Sequence, residues 1–168
     1  MKHLFAFLFV SLCATQLSAQ SKNPGSMKKL VGQSYLDARH IQGLKGWQFR
    51  QGDLITPVDD SEMVTVDVYV KGTSAIVILS VMEDTASRVF HIADVLEIKN
   101  VPKGWVIKTS TCSEGDNEDI ELVALVKETK SERFKLIKQA WRCNRAKRRI
   151  EIASIKNISC INDGMEQY

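Results

Sequence analysis

The sequence predicts a mainly β, antiparallel fold: a meander of six to eight strands forming a curved sheet, sandwich or open barrel, with one or two short helices. Three observations predict it. Valine alternates with mostly polar partners over residues 64–70 (VTVDVYV), the two-residue period of a half-buried strand. Apolar runs of strand length recur along the chain, separated by turns rich in Gly, Pro and Asn. The connections are short, without room for the dozen or so residues that a parallel crossover needs.

At the N-terminus, Lys2 and His3 precede a run from Leu4 to Leu12 that is apolar apart from Ser11, and the small residues Ser18 and Ala19 follow. These are the three regions of a secretory signal peptide. The run is far shorter than the roughly 20 residues that carry an α-helix across a bilayer, so no transmembrane span is expected. Residues 1–19 are read as a signal peptide cleaved after Ala19, leaving a secreted or periplasmic protein. Cys13 could carry a lipid anchor instead, but the bulky Leu12 before it disfavours that. Residues 20–29 (QSKNPGSMKK) read as a flexible linker and 30–168 as one domain of ordinary size.

Within that domain, residues 34–42 suggest a helix capped by Ser34 and Asp37, and 47–51 an edge strand ended by Gly52-Asp53. Residues 64–70 and 75–82 (AIVILSVM) form a hairpin about Lys71-Gly72, and the second, apolar on both faces, reads as a central strand. Residues 88–98 make a third strand. The Val101-Pro102-Lys103-Gly104 turn leads into a fourth at 105–112, and a fifth lies at 120–126, with the polar loop 113–119 (SEGDNED) between them. Ser131 can cap a short helix that carries Phe134, Ile137 and Trp141 on one face. Residues 141–143 and 148–154 then close the fold as a hairpin, with Ile150 and Ile152 inward.

Beyond the leader three cysteines remain. Cys143 lies two residues from Trp141 on one strand face, the position of a small buried hydrophobe. Cys112 and Cys160 sit at segment ends, so a Cys112–Cys160 disulfide is expected, with Cys143–Cys160 as its competitor. No pair has Cys-x-x-Cys spacing, so neither a redox couple nor a cysteine zinc site is expected.

No Gly-x-Ser-x-Gly elbow, phosphate loop or Gly-x-Gly-x-x-Gly occurs, and His40 and His91 stand apart from any metal-ligand spacing. No catalytic group, metal or cofactor is assigned, and a non-catalytic role is favoured. The carboxylates at 114–121 and at 59–62 have the composition of solvated turns and lack the glycine of a calcium loop.

Charge is distributed unevenly. Residues 127–156 hold eleven Lys or Arg against three Glu, whereas the rest of 20–168 holds eleven cations against seventeen anions. A basic face of Arg133, Lys135, Lys138, Arg142, Arg145, Lys147, Arg148 and Arg149 is therefore expected. It would contact an anionic protein, lipid headgroup or glycan of the envelope. Nucleic acid is disfavoured, because export removes it and no aromatics interleave with the cations to stack bases.

An alternative is a small carbohydrate-binding module or glycoside-type hydrolase using Trp47, Asp53, Asp59 and Asp60. The stretch 46–53 (GWQFRQGD) with Asp59-Asp60-Ser61 resembles the start of galactose-binding-like β-sandwich domains attached to glycosidases. The resemblance spans eleven residues and transfers no sugar-binding residue.

Overall fold

A computed structural model describes residues 26–56, 62–84 and 86–164, so the expected signal peptide, Asp59 and Asp60 lie outside the described residues. Thirteen strands, paired antiparallel throughout, and two 3-10 turns make up the regular structure there, with no α-helix among the described residues.

The first sheet contains β1 (Ser34–Tyr35), β2 (Gln48–Leu54), β3 (Met63–Lys71), β4 (Ser74–Met82) and β5 (Phe90–Ile98), in the order β1-β5-β4-β3-β2. The second contains β6 (Trp105–Thr109), β9 (Leu122–Lys127), β11 (Ile137–Asn144) and β12 (Arg149–Ala153), ordered β12-β11-β9-β6. A third, small sheet joins β7 (Cys112–Glu114), β8 (Asn117–Glu118), β10 (Arg133–Phe134) and β13 (Ile158–Ile161), ordered β10-β13-β7-β8.

These sheets stack as layers. Val64, Val66 and Val68 of β3 and Ala75, Val77, Leu79 and Val81 of β4 bury against Val123, Leu125, Trp141 and Cys143 of the second sheet. The alternate residues of β4, Ile76 and Ile78, face the opposite way and are covered by Leu30, Tyr35, Ile41 and Leu44 of the N-terminal segment. β9 repeats the arrangement, with Leu122, Ala124 and Val126 packing on Cys112, Phe134, Ile158 and Cys160 of the third sheet. A strand covered on both faces has no solvent side to keep polar, which is why β4 and β9 are apolar at nearly every position.

The β3–β4 hairpin turns through Gly72-Thr73, and Gly72 supplies the positive φ, +58°, that a two-residue turn requires. The 3-10 turn Met27–Leu30 takes in the last three residues of the stretch read as a linker, and Leu30 is fully buried. Among the described residues, no helix is long and apolar enough to cross a membrane.

Three local expectations are corrected. Residues 131–139 are not helical: they form β10 and the start of β11, where Ile137 pairs with Val126 of β9. Phe134 and Ile137 pack against the third layer's cluster, while Trp141 packs between the first two sheets. Pairing with β9 outweighs the weak local helix preference. Residues 34–42 hold only β1 and the 3-10 turn Ala38–His40; Asp37 caps it, accepting from Arg39 N at 2.8 Å. Tyr35 and Ile41 are drawn onto the outer face of the first sheet, which a continuous helix would not allow. Ile150 faces inward as expected, but Ile152 is 89% exposed, because the outermost strand β12 runs past the layer that would cover it.

Candidate functional site

The first two sheets meet along their edges through side chains. On one seam Ile150 N of β12 donates to Asp94 Oδ2 of β5 at 2.9 Å. On the other, β2 faces β6, and its geometry is set by a bulge. Phe49 pairs with Tyr69 and Gln51 with Val68, which leaves Arg50 without a ladder partner. The extra residue reverses the facing of all that follows. Phe49 meets Tyr69 edge-on in the outer layer, ring centroids 5.5 Å apart, whereas Gln51 and Asp53 turn to the inter-sheet side. There Thr109 of β6 donates to Asp53 Oδ2, and Gln51 Nε2 donates to both Thr109 Oγ1 and Asp53 Oδ2.

Beside this polar knot the seam opens into a groove of about 500 Å³. Its floor is the margin of the core: Val68, Ala75 and Ile107 are buried, and Val70, Val101 and Trp105 pack partly against them. Its rim carries Arg50, Lys108, Glu128 and Asp163. Lys108 pairs with Asp163, and its ammonium lies 5.9 Å from the Phe134 ring. Arg50 is exposed and makes no ion pair or hydrogen bond among the described residues. Trp105, on the groove wall, has the ammonium groups of Lys127 and Lys138 at 6.0 and 5.9 Å from its ring centre, within cation–π range.

The eight residues of the expected basic face are spread over β10, β11, β12 and their connections, and most are engaged. Arg142 pairs with Asp119 and approaches Glu114 at 3.8 Å, and Arg145 meets Glu121 at 2.7 Å. The acidic loop of residues 114–121 thus lies against the basic hairpin. Lys147 binds Glu151 at 3.0 Å, and Arg148 reaches Glu62 and Glu83, each at 2.6 Å. Arg133 donates to Ser159 Oγ at 2.9 Å and to Ser113 Oγ at 2.5 Å. Arg149 is exposed and helps to hold the Glu151 carboxyl below its usual range, after Lys147 and Asn144. Lys135 and Lys138 form no ion pair among the described residues.

Trp47 and Asp53 are not brought together. Trp47 packs partly into the outer layer with Phe49, while the bulge sends Asp53 to the opposite side of the sheet. Cys112 and Cys160 are directly paired residues of β7 and β13 and form a disulfide, with Cα atoms 3.9 Å apart. Cys143 is a free, buried thiol whose pKa burial pushes up to about 12. His40 bonds to Asp37 and His91 to Ser34, both at the exposed surface.

One buried carboxylate stands out. Asp67 of β3 is 4% exposed, accepts from Tyr35 Oη at 2.9 Å and has no cation beside it among the described residues. Desolvation raises its pKa to about 6 against the opposing effect of the tyrosine bond, and Asp53 adds to the rise. Among the described residues, no group of three or more His, Cys, Asp or Glu is placed to hold a metal.

Arg50 has no place in the sequence reading of the basic face. Its only sequence signal is Gly52, since a glycine inside a strand marks a bulge or a close approach. No protein-family model, curated protein or solved structure matches this chain.

Proposed function

We propose that this chain is an exported, non-catalytic binding domain that recognises an anionic envelope or extracellular partner. The observation that carries the reading is the pair of ammonium groups, Lys127 and Lys138, about Trp105, with neither lysine in an ion pair among the described residues. Arg142, Arg145, Lys147 and Arg148 are neutralised internally by Glu and Asp, so attraction for an external anion falls to the cations that no carboxylate answers. That place adjoins the groove.

The test is cosedimentation of the full chain with vesicles rich in an anionic lipid, alongside retention on an immobilised sulfated glycan and an acidic protein. Binding to at least one anionic surface is expected at ~0.1 M salt and lost near ~1 M, as the screening length falls from ~10 to ~3 Å. Lys127→Glu with Lys138→Glu should abolish it, while Lys147→Glu should leave it largely unchanged. Failure to bind any anionic surface, or binding indifferent to the double reversal, rules the reading out.

A further inference from the structure

We propose that the groove between β2 and β6 is a binding site for a small amphipathic anion, an aliphatic chain ending in a carboxylate, with Arg50 holding the carboxylate. This deepens the reading above by naming a ligand class at the same end of the molecule.

Three observations lead to it. The groove opens at the margin of the core: half-buried Val70, Val101 and Trp105 line it beside buried Val68, Ala75 and Ile107, so an apolar body entering it covers hydrocarbon that the three half-buried side chains leave open. Its volume of about 500 Å³ lies within the range of small-molecule sites. The opening persists because β2 and β6 are edge strands joined by the Gln51, Asp53 and Thr109 side chains and not by a backbone ladder.

The second observation is the bulge. A guanidinium is the side chain best matched to a carboxylate, through two parallel N–H donors. Arg50 carries one on the groove lining, at the single residue of β2 excluded from pairing, and it is unpartnered among the described residues. Bulges recur where a strand re-aims a side chain toward a site.

The third is the balance of charge. Lys108 and Asp163 neutralise one another, and Glu128 is left as the lining carboxylate without an ion pair among the described residues. Against it stand Arg50, Lys127 and Lys138. The mouth therefore favours an anionic head over a cationic one. A ligand that is charge alone would leave the floor wet; one that is hydrocarbon alone would leave Arg50 unanswered.

Titration calorimetry of the full chain with decanoate, with decyltrimethylammonium and with acetate separates these terms. Decanoate is expected to bind at one site, decyltrimethylammonium at least tenfold more weakly, and acetate not measurably. Arg50→Ala, at an exposed position, should weaken decanoate about tenfold or more while Arg50→Lys, which keeps the charge without the paired donors, retains part of the affinity, and Arg50→Ala should leave decyltrimethylammonium as tight or tighter. Val70→Phe, which narrows the floor, should weaken both amphiphiles, with its fold checked by circular dichroism. Equal affinity for the two amphiphiles, or decanoate binding untouched by Arg50→Ala, overturns the proposal. If no decanoate binds but anionic surfaces are retained through Lys127 and Lys138, this inference falls and the broader reading stands. Decanoate binding through Arg50 with no retention on any anionic surface supports the groove and removes the broader reading.

Discussion

Tyr35 donates its phenolic proton to Asp67 Oδ2 at 2.9 Å, a bond that ties the N-terminal cover to the outer face of the first sheet. Asp67 is raised from its ordinary 3.8 to about 6, chiefly by desolvation. The folded protein thus keeps this proton at pH values where the unfolded chain has lost it. The contribution to stability is complete below pH 3.8 and is lost as pH rises through about 6, by about 3 kcal/mol at most. Asp67→Asn should flatten that dependence and unfold at higher urea than the parent at pH 8. Equal midpoint differences between the two proteins at pH 4 and pH 8 would contradict this.

Gly52 stands directly opposite Asp67 in the β2–β3 ladder, and a Cβ there would overlap Asp67 Oδ1 and lie 3.1 Å from Phe49 Cζ. Alanine normally gains about 0.5–1 kcal/mol over glycine in a strand, but here the overlap dominates. Gly52→Ala is expected to cost about 1–3 kcal/mol. The penalty should shrink in the Asp67→Ala background, which a double-mutant cycle in urea would measure.

The Cys112–Cys160 bond joins residues 48 apart in sequence. Closing a loop of that length lowers the entropy of the unfolded chain by an amount worth about 4 kcal/mol in the chain-entropy account. Replacing both cysteines with serine should therefore cost about 2–4 kcal/mol, read as a fall in melting temperature under non-reducing conditions. A fall of the same size in the parent on adding reductant identifies the bond itself as the cause.

Cys143 is fully buried and its thiol is held at about 12, so almost no thiolate forms at neutral pH. Iodoacetamide should label it only at the rate of global opening, with labelling accelerated by urea in step with unfolding. Rapid labelling of Cys143 in the native protein at pH 8 would show that the pocket between the first two sheets is open there.

Ile152→Thr should change stability by no more than about 0.5 kcal/mol, because this side chain is 89% exposed on the outermost strand. The inward position expected from strand alternation would instead make truncation cost several times as much. A thermal melt distinguishes the two.

Several parts of this structure were legible in the order of residues. Alternation over 64–70 and the run over 75–82, apolar apart from Ser80, marked β3 and β4, since covering one face or both leaves different patterns. The choice of Cys112 with Cys160 followed from Cys143 sharing a face with Trp141, and both sit in one buried cluster. Residues 131–139 misled because Phe134, Ile137 and Trp141 are spaced as in a helix, although they enter two different layers.

The candidate site was mostly illegible. The register that leaves Arg50 outside the ladder depends on β3, and the neutralisation of Arg142, Arg145 and Arg148 depends on carboxylates of other elements. Trp47 and Asp53, six residues apart, end on opposite faces of a sheet because one extra residue lies between them.

Strand character and several turn positions were thus set by local order, because periodicity and spacing are properties of neighbouring residues. Which cations stay unanswered, which isoleucine meets water and where the core opens into a groove were settled by packing. Each of these is a relation between segments far apart along the chain, joined by register and layering that no short stretch encodes.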